Sequence, residues 1–427
     1  MTRVHDRGPL RPRADDLGEQ IERSLRESRP VRLALLVGCL GLLAQAAVTL
    51  LSLPLGDDLV VYWKGGWAVL HGLPLFGEHF TAYAGIDNAL VFTYPPFAAL
   101  LFVPLALVPP EAAMVAWTVA SLAALAALAA DGFRPWWRGR PGPAVVFVLL
   151  AVLAVSFTFQ PVSNGLLLGQ IGFMLTLLCY ADVVVLHGRR PAGVAIGLAT
   201  AIKLTPGLFL VHFAVTRQWR ALRNAVLTIA ACWGVAFVAL PAATVTYFRH
   251  LMLDTTRMGS VVQPINQSLN ATVQRFGLPQ PRLWWLLLAA VVTAAGLDRA
   301  RRAHDLGERR RAAVLVAMAM LLVSPVSWTH HAIWLIPLFG LLLTDRRPGP
   351  RLLGVVAVLL AAPTRQLLGL PGLGDGIMVE GYVLLYLAAL VWLPVDSAAP
   401  LPAAAPAQNQ GQAAGPRAAV PELATRS

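Results

Sequence analysis

Residues 111–130 read EAAMVAWTVASLAALAALAA, with one carboxylate at the first position and no Asp, Glu, Lys or Arg from 112 to 130. A helix that is apolar on every face is either buried inside a large core or crosses a membrane. About 20 such residues, rising 1.5 Å each, match the ~30 Å hydrocarbon thickness of a bilayer. The same pattern recurs at 33–53, 165–186, 225–241, 283–298, 312–324, 330–343 and 380–394, and shorter or interrupted apolar runs lie at 97–109, 144–158, 192–214 and 352–362. Of the 427 residues, 57% are hydrophobic and 13% charged, with a mean hydropathy of +0.64. A soluble domain carries roughly 25% charged residues. The expected fold is therefore all-α: a polytopic transmembrane bundle of about ten to thirteen spans over residues 33–394, with no soluble domain longer than a loop.

The net charge of +12 sits in the gaps between these runs. Arg134, Arg138 and Arg140 fill one gap, Arg189 and Arg190 a second, and Arg217, Arg220 and Arg223 a third. Six arginines lie between Arg299 and Arg311, and Arg346, Arg347 and Arg351 close the series. Cytoplasmic loops collect Lys and Arg by the positive-inside rule, so this charge reports topology and anionic lipid, and nucleic acid is not an expected partner. Residues 1–32 read as a polar cytoplasmic tail without a signal-peptide pattern, which makes 33–53 a retained first span. Residues 395–427 are Ala/Pro-rich and have the composition of disorder.

Under that topology 54–96 is the first external loop, with Asp57, Asp58, Glu78 and Asp87 against the single Lys64, and 242–282 is a second. Two stretches need a break. Phe97–Ala130 carries a helix stop and restart at Val108-Pro109-Pro110-Glu111. Residues 192–214 have arginines at both ends, so the positive-inside rule favours a helical hairpin turned at Lys203-Leu204-Thr205-Pro206, while a single span, which would put Arg189 and Arg190 outside, stays the alternative. The three cysteines, Cys39, Cys179 and Cys232, fall inside apolar runs at unrelated spacing and read as packing residues.

Several groups could carry chemistry. Asp57 and Asp58 stand where the first span ends; either could act as a general base at the membrane boundary, or cap the helix that runs through Tyr62. Phe92-Thr93-Tyr94-Pro95-Pro96-Phe97 places Tyr94 at interfacial depth, as belt residue or substrate hydrogen bonder. Ser324-Pro325-Val326-Ser327-Trp328-Thr329-His330-His331 holds adjacent histidines; neighbours on a helix point about 100° apart and make poor joint ligands, so no metal is expected. Arg249, Arg257, Arg275 and Arg282 run against the charge pattern and could hold phosphate through guanidinium forks, or anchor to lipid headgroups. Asn164, Gln170 and Lys203 are polar groups within or beside apolar runs, a costly placement that points to function or buried pairing.

In order along the chain, Asp58-Leu59-Val60-Val61-Tyr62, Gly72-Leu73-Pro74-Leu75-Phe76, Phe92–Phe97, Gly169-Gln170-Ile171, Lys203–Pro206, Asn266-Gln267-Ser268-Leu269-Asn270 and Ser324–His331 resemble the series found in polyprenol-phosphate-mannose-dependent mannosyltransferases of actinobacterial mannolipid synthesis, which have the GT-C fold. The resemblance runs from about Leu33 to Trp392 and departs from the family at Gly172, where Asn is usual. It implies an inverting transfer of mannose from a polyprenyl-phosphate donor to a glycolipid or cell-envelope polysaccharide acceptor, at the extracytoplasmic side of the plasma membrane and without metal or other cofactor. Asp58 would be the catalytic base and Asp57 its neighbour in support. Tyr62, Tyr94, Gln170, Lys203, Arg257, Asn266, Gln267, His330 and His331 would bind substrate or phosphate. A GT-C enzyme using another lipid-phosphate sugar, or a transporter built on the broken helix at Lys203, are the alternatives.

Overall fold

The computed structural model describes residues 55–139, 142–361 and 380–396, together with six isolated positions between 33 and 44. The expected tail at 1–32, most of the first span, the turn at 363–379 and nearly all of the C-terminal tail lie outside the described residues. Among the described residues the chain forms helices and one isolated antiparallel bridge, Asn266 to Trp328, as the all-α expectation requires. In chain order the main helices are α1 (Asp57–Leu70), α2 (Pro96–Ala106), α3 (Pro110–Gly132), α4 (Gly142–Ser156), α5 (Gln160–Leu167), α6 (Gly172–Val184), α7 (Val194–Ile202) and α8 (Leu208–Val215). They are followed by α9 (Trp219–Ala239), α10 (Leu269–Arg275), α11 (Pro281–Asp305), α12 (Arg309–Val323), α13 (Leu335–Leu343), α14 (Pro348–Ala361) and α15 (Gly381–Trp392).

Among the described residues, α3, α9 and α11 are each long and apolar enough to cross a membrane alone. α4 and α5, bent by 78° at their junction, could together make a fourth span. The other apolar runs form shorter helices. The long helices leave large apolar side chains on their outer faces: Val115 and Val119 on α3, Leu227, Phe237 and Val238 on α9, Leu286, Leu287 and Val291 on α11. Contiguous exposed apolar surface on this scale suits contact with lipid rather than water. α12 is the opposite case. Every residue from Arg311 to Leu322 is buried, so α12 is the central post of the bundle, with α11, α13, α15 and α6 around it.

The arginine-rich gaps gather at one end of the bundle. Arg220 donates to the carbonyls of Gly188 and Arg189, and Asn224 to those of Arg190 and Ala192. The His187 and His304 rings lie 5.2 Å apart, bringing the 299–311 cluster to the same place. Arg310 pairs with Asp131 at the end of α3, and Arg311 with Asp345 beside Arg347. These contacts tie together all five basic gaps.

The same contacts resolve 192–214. α7 starts beside Ala221, where a Cβ on Gly193 would stand 1.9 Å from the Ala221 carbonyl oxygen, and ends where Trp233 donates to the Ala201 carbonyl. α8 runs back, and Gln218, just before α9, donates its amide to the Phe213 carbonyl. The pair therefore begins and ends at the arginine-rich face, with Lys203 at the tip between the two legs. The other break falls as the prolines dictate: α2 is a short helix packed along α1, and α3 restarts at Pro110 with Pro109 as its N-cap.

Gly193 has φ +97° as well as no room for a side chain. Gly193→Ala should cost about 2–4 kcal/mol from strain and overpacking, read as a lower melting temperature in detergent. Gly234→Ala on α9, where a Cβ would meet nothing within 4 Å, should be neutral or stabilise by up to about 1 kcal/mol.

Candidate active site

α1 begins at Asp57 with Gly56 as its N-cap, and neither carboxylate caps it. A helix start must find partners for its first N–H groups. Here the amides of Asp58 and Leu59 both donate to the Leu168 carbonyl, each at 3.1 Å. This approach of backbone to backbone is possible because a glycine stands on each side. A Cβ on Gly56 would lie 2.6 Å from the Leu167 and Leu168 carbonyl oxygens; one on Gly169, whose φ is +67°, would lie 2.7 Å from Leu59 Cβ. The capping role open to Asp57 and Asp58 in the sequence is thus filled by Leu168. Both acids stay in the first turn, where the helix dipole favours negative charge.

Asp58 then faces a connected set of polar groups. Gln170, from the same turn as Leu168, hydrogen bonds the Asp58 carboxylate. Its Oε1 accepts from the Tyr62 hydroxyl at 3.4 Å, and the Tyr62 and Tyr94 hydroxyls meet at 2.9 Å. The Lys203 ammonium, from the hairpin tip, lies 5.4 Å from the Tyr94 ring centroid and 3.0 Å from His331 Nε2. A charged lysine can only donate there, so Nε2 is the unprotonated nitrogen of His331. The His330 ring packs on that of His331 at 4.8 Å. Asp58, Tyr62, Gln170, Tyr94, Lys203, His330 and His331, far apart in sequence, form one group.

The remaining candidates stand around it. Asp57 is exposed, and its carbonyl accepts from Asn88 Nδ2 at 3.1 Å. Arg257 donates to the Phe92 carbonyl at 2.8 Å and lies 5.3 Å from the Phe76 ring centroid, two residues from Tyr94 along the chain it contacts. Asn266 and Gln267 are buried, with amides engaged by main chain. Asn266 accepts from Ser327 N and donates to Val261 O; Gln267 donates to Pro264 O and accepts from Tyr382 N and Val383 N. These two residues brace the loop. With Ser268 and Asn270 both donating to Pro325 O, they clasp 266–270 onto 324–329 and so fix the segment that carries the histidines.

Sequence reasoning missed two features. Arg275, grouped there with the other loop arginines, pairs with Glu380 at 2.6 Å and donates to the carbonyls of Gln263 and Asn266, so it holds the loop. Glu380 lay at the edge of an apolar run and gave no signal. Ser327 sits within a recognised motif, yet its buried hydroxyl has no partner. Arg249 and Arg282 are exposed.

Burial is the main force on Asp58 and pushes its pKa up to about 6; Lys203 and the Gln170 hydrogen bond pull it down, and Asp57 adds a smaller push upward. The Tyr62 and Tyr94 hydroxyls are also pushed up by burial, and they stay protonated. The arrangement offers a carboxylate whose pKa is raised to about 6, hydroxyl and amide hydrogen bonders, and a half-buried cation within one site.

Comparison with known proteins agrees with this chemistry. Residues 92–325 match the model of glycosyltransferase family 87, and the chain belongs to that family. Asp58 precedes the matched segment. The chain is 34% identical over 308 residues to the polyprenol-phosphate-mannose-dependent alpha-(1-2)-phosphatidylinositol mannoside mannosyltransferase of Mycobacterium tuberculosis, covering 69% of this chain and 72% of that one. It is 32% identical over 336 residues to the corresponding phosphatidylinositol pentamannoside mannosyltransferase of the same species, covering 77% and 76%. An alpha-(1->3)-arabinofuranosyltransferase of Corynebacterium glutamicum is 26% identical over 247 residues, 56% of each chain. No solved structure matches the chain.

A carboxylate that ionises near pH 6 in the fold and near 3.8 when unfolded weakens the fold as pH rises between those values. Above pH 6 the cost is on the order of 3 kcal/mol, at about 1.4 kcal/mol per pH unit. Asp58→Asn should therefore melt higher than wild type at pH 7.5, with the gap closing toward pH 4. A variant less stable than wild type at pH 7.5 would contradict the buried, strained state of Asp58.

Proposed function

We propose that this enzyme transfers mannose from a polyprenyl-phosphate donor to a glycolipid or cell-envelope glycan acceptor, with inversion, at the extracytoplasmic face of the plasma membrane. The observation that carries the reading is that the Leu168 carbonyl takes over the cap of α1 and leaves the Asp58 carboxylate among Gln170, Tyr62, Tyr94 and Lys203, where burial pushes its pKa up to about 6. The activities for which the mycobacterial relatives are named support the donor and the class of acceptor.

In this reading Asp58 takes the proton of an acceptor hydroxyl as that oxygen attacks the anomeric carbon. The bond from that carbon to the phosphate oxygen breaks on the opposite side, and its electron pair leaves with the lipid phosphate; a β-linked donor gives an α-linked product. Positive charge placed where negative charge develops lowers the barrier. Lys203 supplies it, and Arg257 stands further out along the Phe92–Tyr94 strand of chain. Tyr62, Tyr94 and Gln170 orient the base and the sugar, and His331 orients Lys203. No metal enters any step.

Membranes bearing the protein should move labelled mannose from polyprenyl-phosphate mannose into lipid, and Asp58→Asn at equal protein level should lower the rate by about 10²–10⁴-fold; full retention would sink the role of Asp58. kcat/KM should rise with pH through an apparent pKa near 6. Lys203→Gln removes a neighbour that lowers that pKa, so the residual activity should show the limb at higher pH. A lipid-phosphate arabinofuranose donor is the second reading, favoured by the corynebacterial relative; a donor screen on purified protein separates the two.

A further inference from the structure

Lys203 also lines a small cavity, together with Thr205, Ser327 and His331, and the rest of its wall is mostly apolar, with Leu175 and Trp334 among the lining residues. It holds about 40 Å³, room for roughly three water-sized groups at about 10–15 Å³ each. Ser327 is 1% exposed and its hydroxyl has no hydrogen-bond partner. A buried hydroxyl left unpaired costs free energy and calls for a ligand or an ordered water. The main chain on both sides of Ser327 is already engaged: its amide donates to Asn266 Oδ1 and its carbonyl accepts from the Gln267 amide. The hydroxyl is therefore held in place while remaining free to bond.

We propose that this cavity receives the departing phosphoryl group of the lipid monophosphate, with the Ser327 hydroxyl donating a hydrogen bond to one oxygen, Thr205 a second, and Lys203 supplying the charge. The proposal rests on the donor class inferred above and adds to it the place where the leaving group goes. Three water-sized positions match three unbridged phosphoryl oxygens. The donor itself, a diester, has only two, so the cavity is better filled after the sugar has left than before. Lys203 belongs both to this wall and to the surroundings of Asp58, so one cation serves the attacking and the departing side. The apolar remainder of the wall lowers the local dielectric, which strengthens each of these contacts.

The test is binding of undecaprenyl phosphate to the purified full-length protein in detergent, measured by titration calorimetry for wild type, Ser327→Ala and Thr205→Val, with inorganic phosphate as a parallel ligand. The Ser327 hydroxyl has no partner to lose, so Ser327→Ala should keep the wild-type melting temperature and acceptor KM while weakening lipid monophosphate binding about tenfold, as loss of a hydrogen bond to a charged group does. Thr205→Val should act in the same direction. Wild-type affinity in Ser327→Ala would overturn the cavity assignment and leave the donor class standing. Absence of lipid monophosphate binding in the wild type would overturn the donor class and the cavity with it. Inorganic phosphate binding as tightly as the lipid, and equally sensitive to Ser327→Ala, would assign the cavity to free phosphate instead.

Discussion

One carbonyl group organises the site. Leu168 O accepts the amides of Asp58 and Leu59, and it can do so only because Gly56 and Gly169 leave no side chain in the contact. Had either acid been needed to cap α1, its carboxylate would be turned back on its own backbone. The contact also brings Gln170 and Ile171 against Tyr62, so the base, its hydrogen-bond donor and the paired tyrosines are placed by a single junction between α1 and the turn before α6. The position of the Asp58 carboxylate therefore hangs on two glycines.

A second constraint is electrostatic. Burying Asp58 raises its pKa to about 6, and above that value its ionised carboxylate weakens the fold. Lys203 limits that cost. It acts on Asp58 through its charge from the hairpin tip, and its ammonium lies 3.0 Å from His331 Nε2. His331 in turn depends on the clasp between 266–270 and 324–329, which is anchored by Arg275 and Glu380. Through these links α10 and α15, which contribute nothing to the reacting atoms, still set where the cation stands.

Much of this was legible in the sequence. The apolar runs and the five basic gaps follow from solvation physics, which acts on composition and needs no partner to be known; for 192–214 the arginines at both ends favoured a hairpin, and the contacts of α7 and α8 with α9 chose it over a single span. The motifs singled out around Asp58, Tyr94, Gln170, Lys203 and His331 do converge. The sequence could not reveal which group satisfies which. The cap of α1 comes from Leu168, more than a hundred residues away, and the partner of Arg275 is Glu380. Asn266 and Gln267 have the composition of ligand-binding residues, yet their amides are taken up by main chain. Long-range pairing decides between binding and bracing, and a linear pattern carries no record of it.

The hairpin of α7 and α8 has a consequence for biosynthesis. Because the pair begins and ends at the arginine-rich face, the stretch dips into the bilayer and comes back, and the parity of threading before and after it is the same. A substitution that straightened the Lys203–Gly207 tip into one continuous helix would turn the dip into a crossing and reverse the direction of every later helix. Asn266–Asn270 and Ser324–His331 would then be delivered to the opposite side from Asp58. The chain would differ by one joined helix, with the two halves of its candidate active site separated by a membrane.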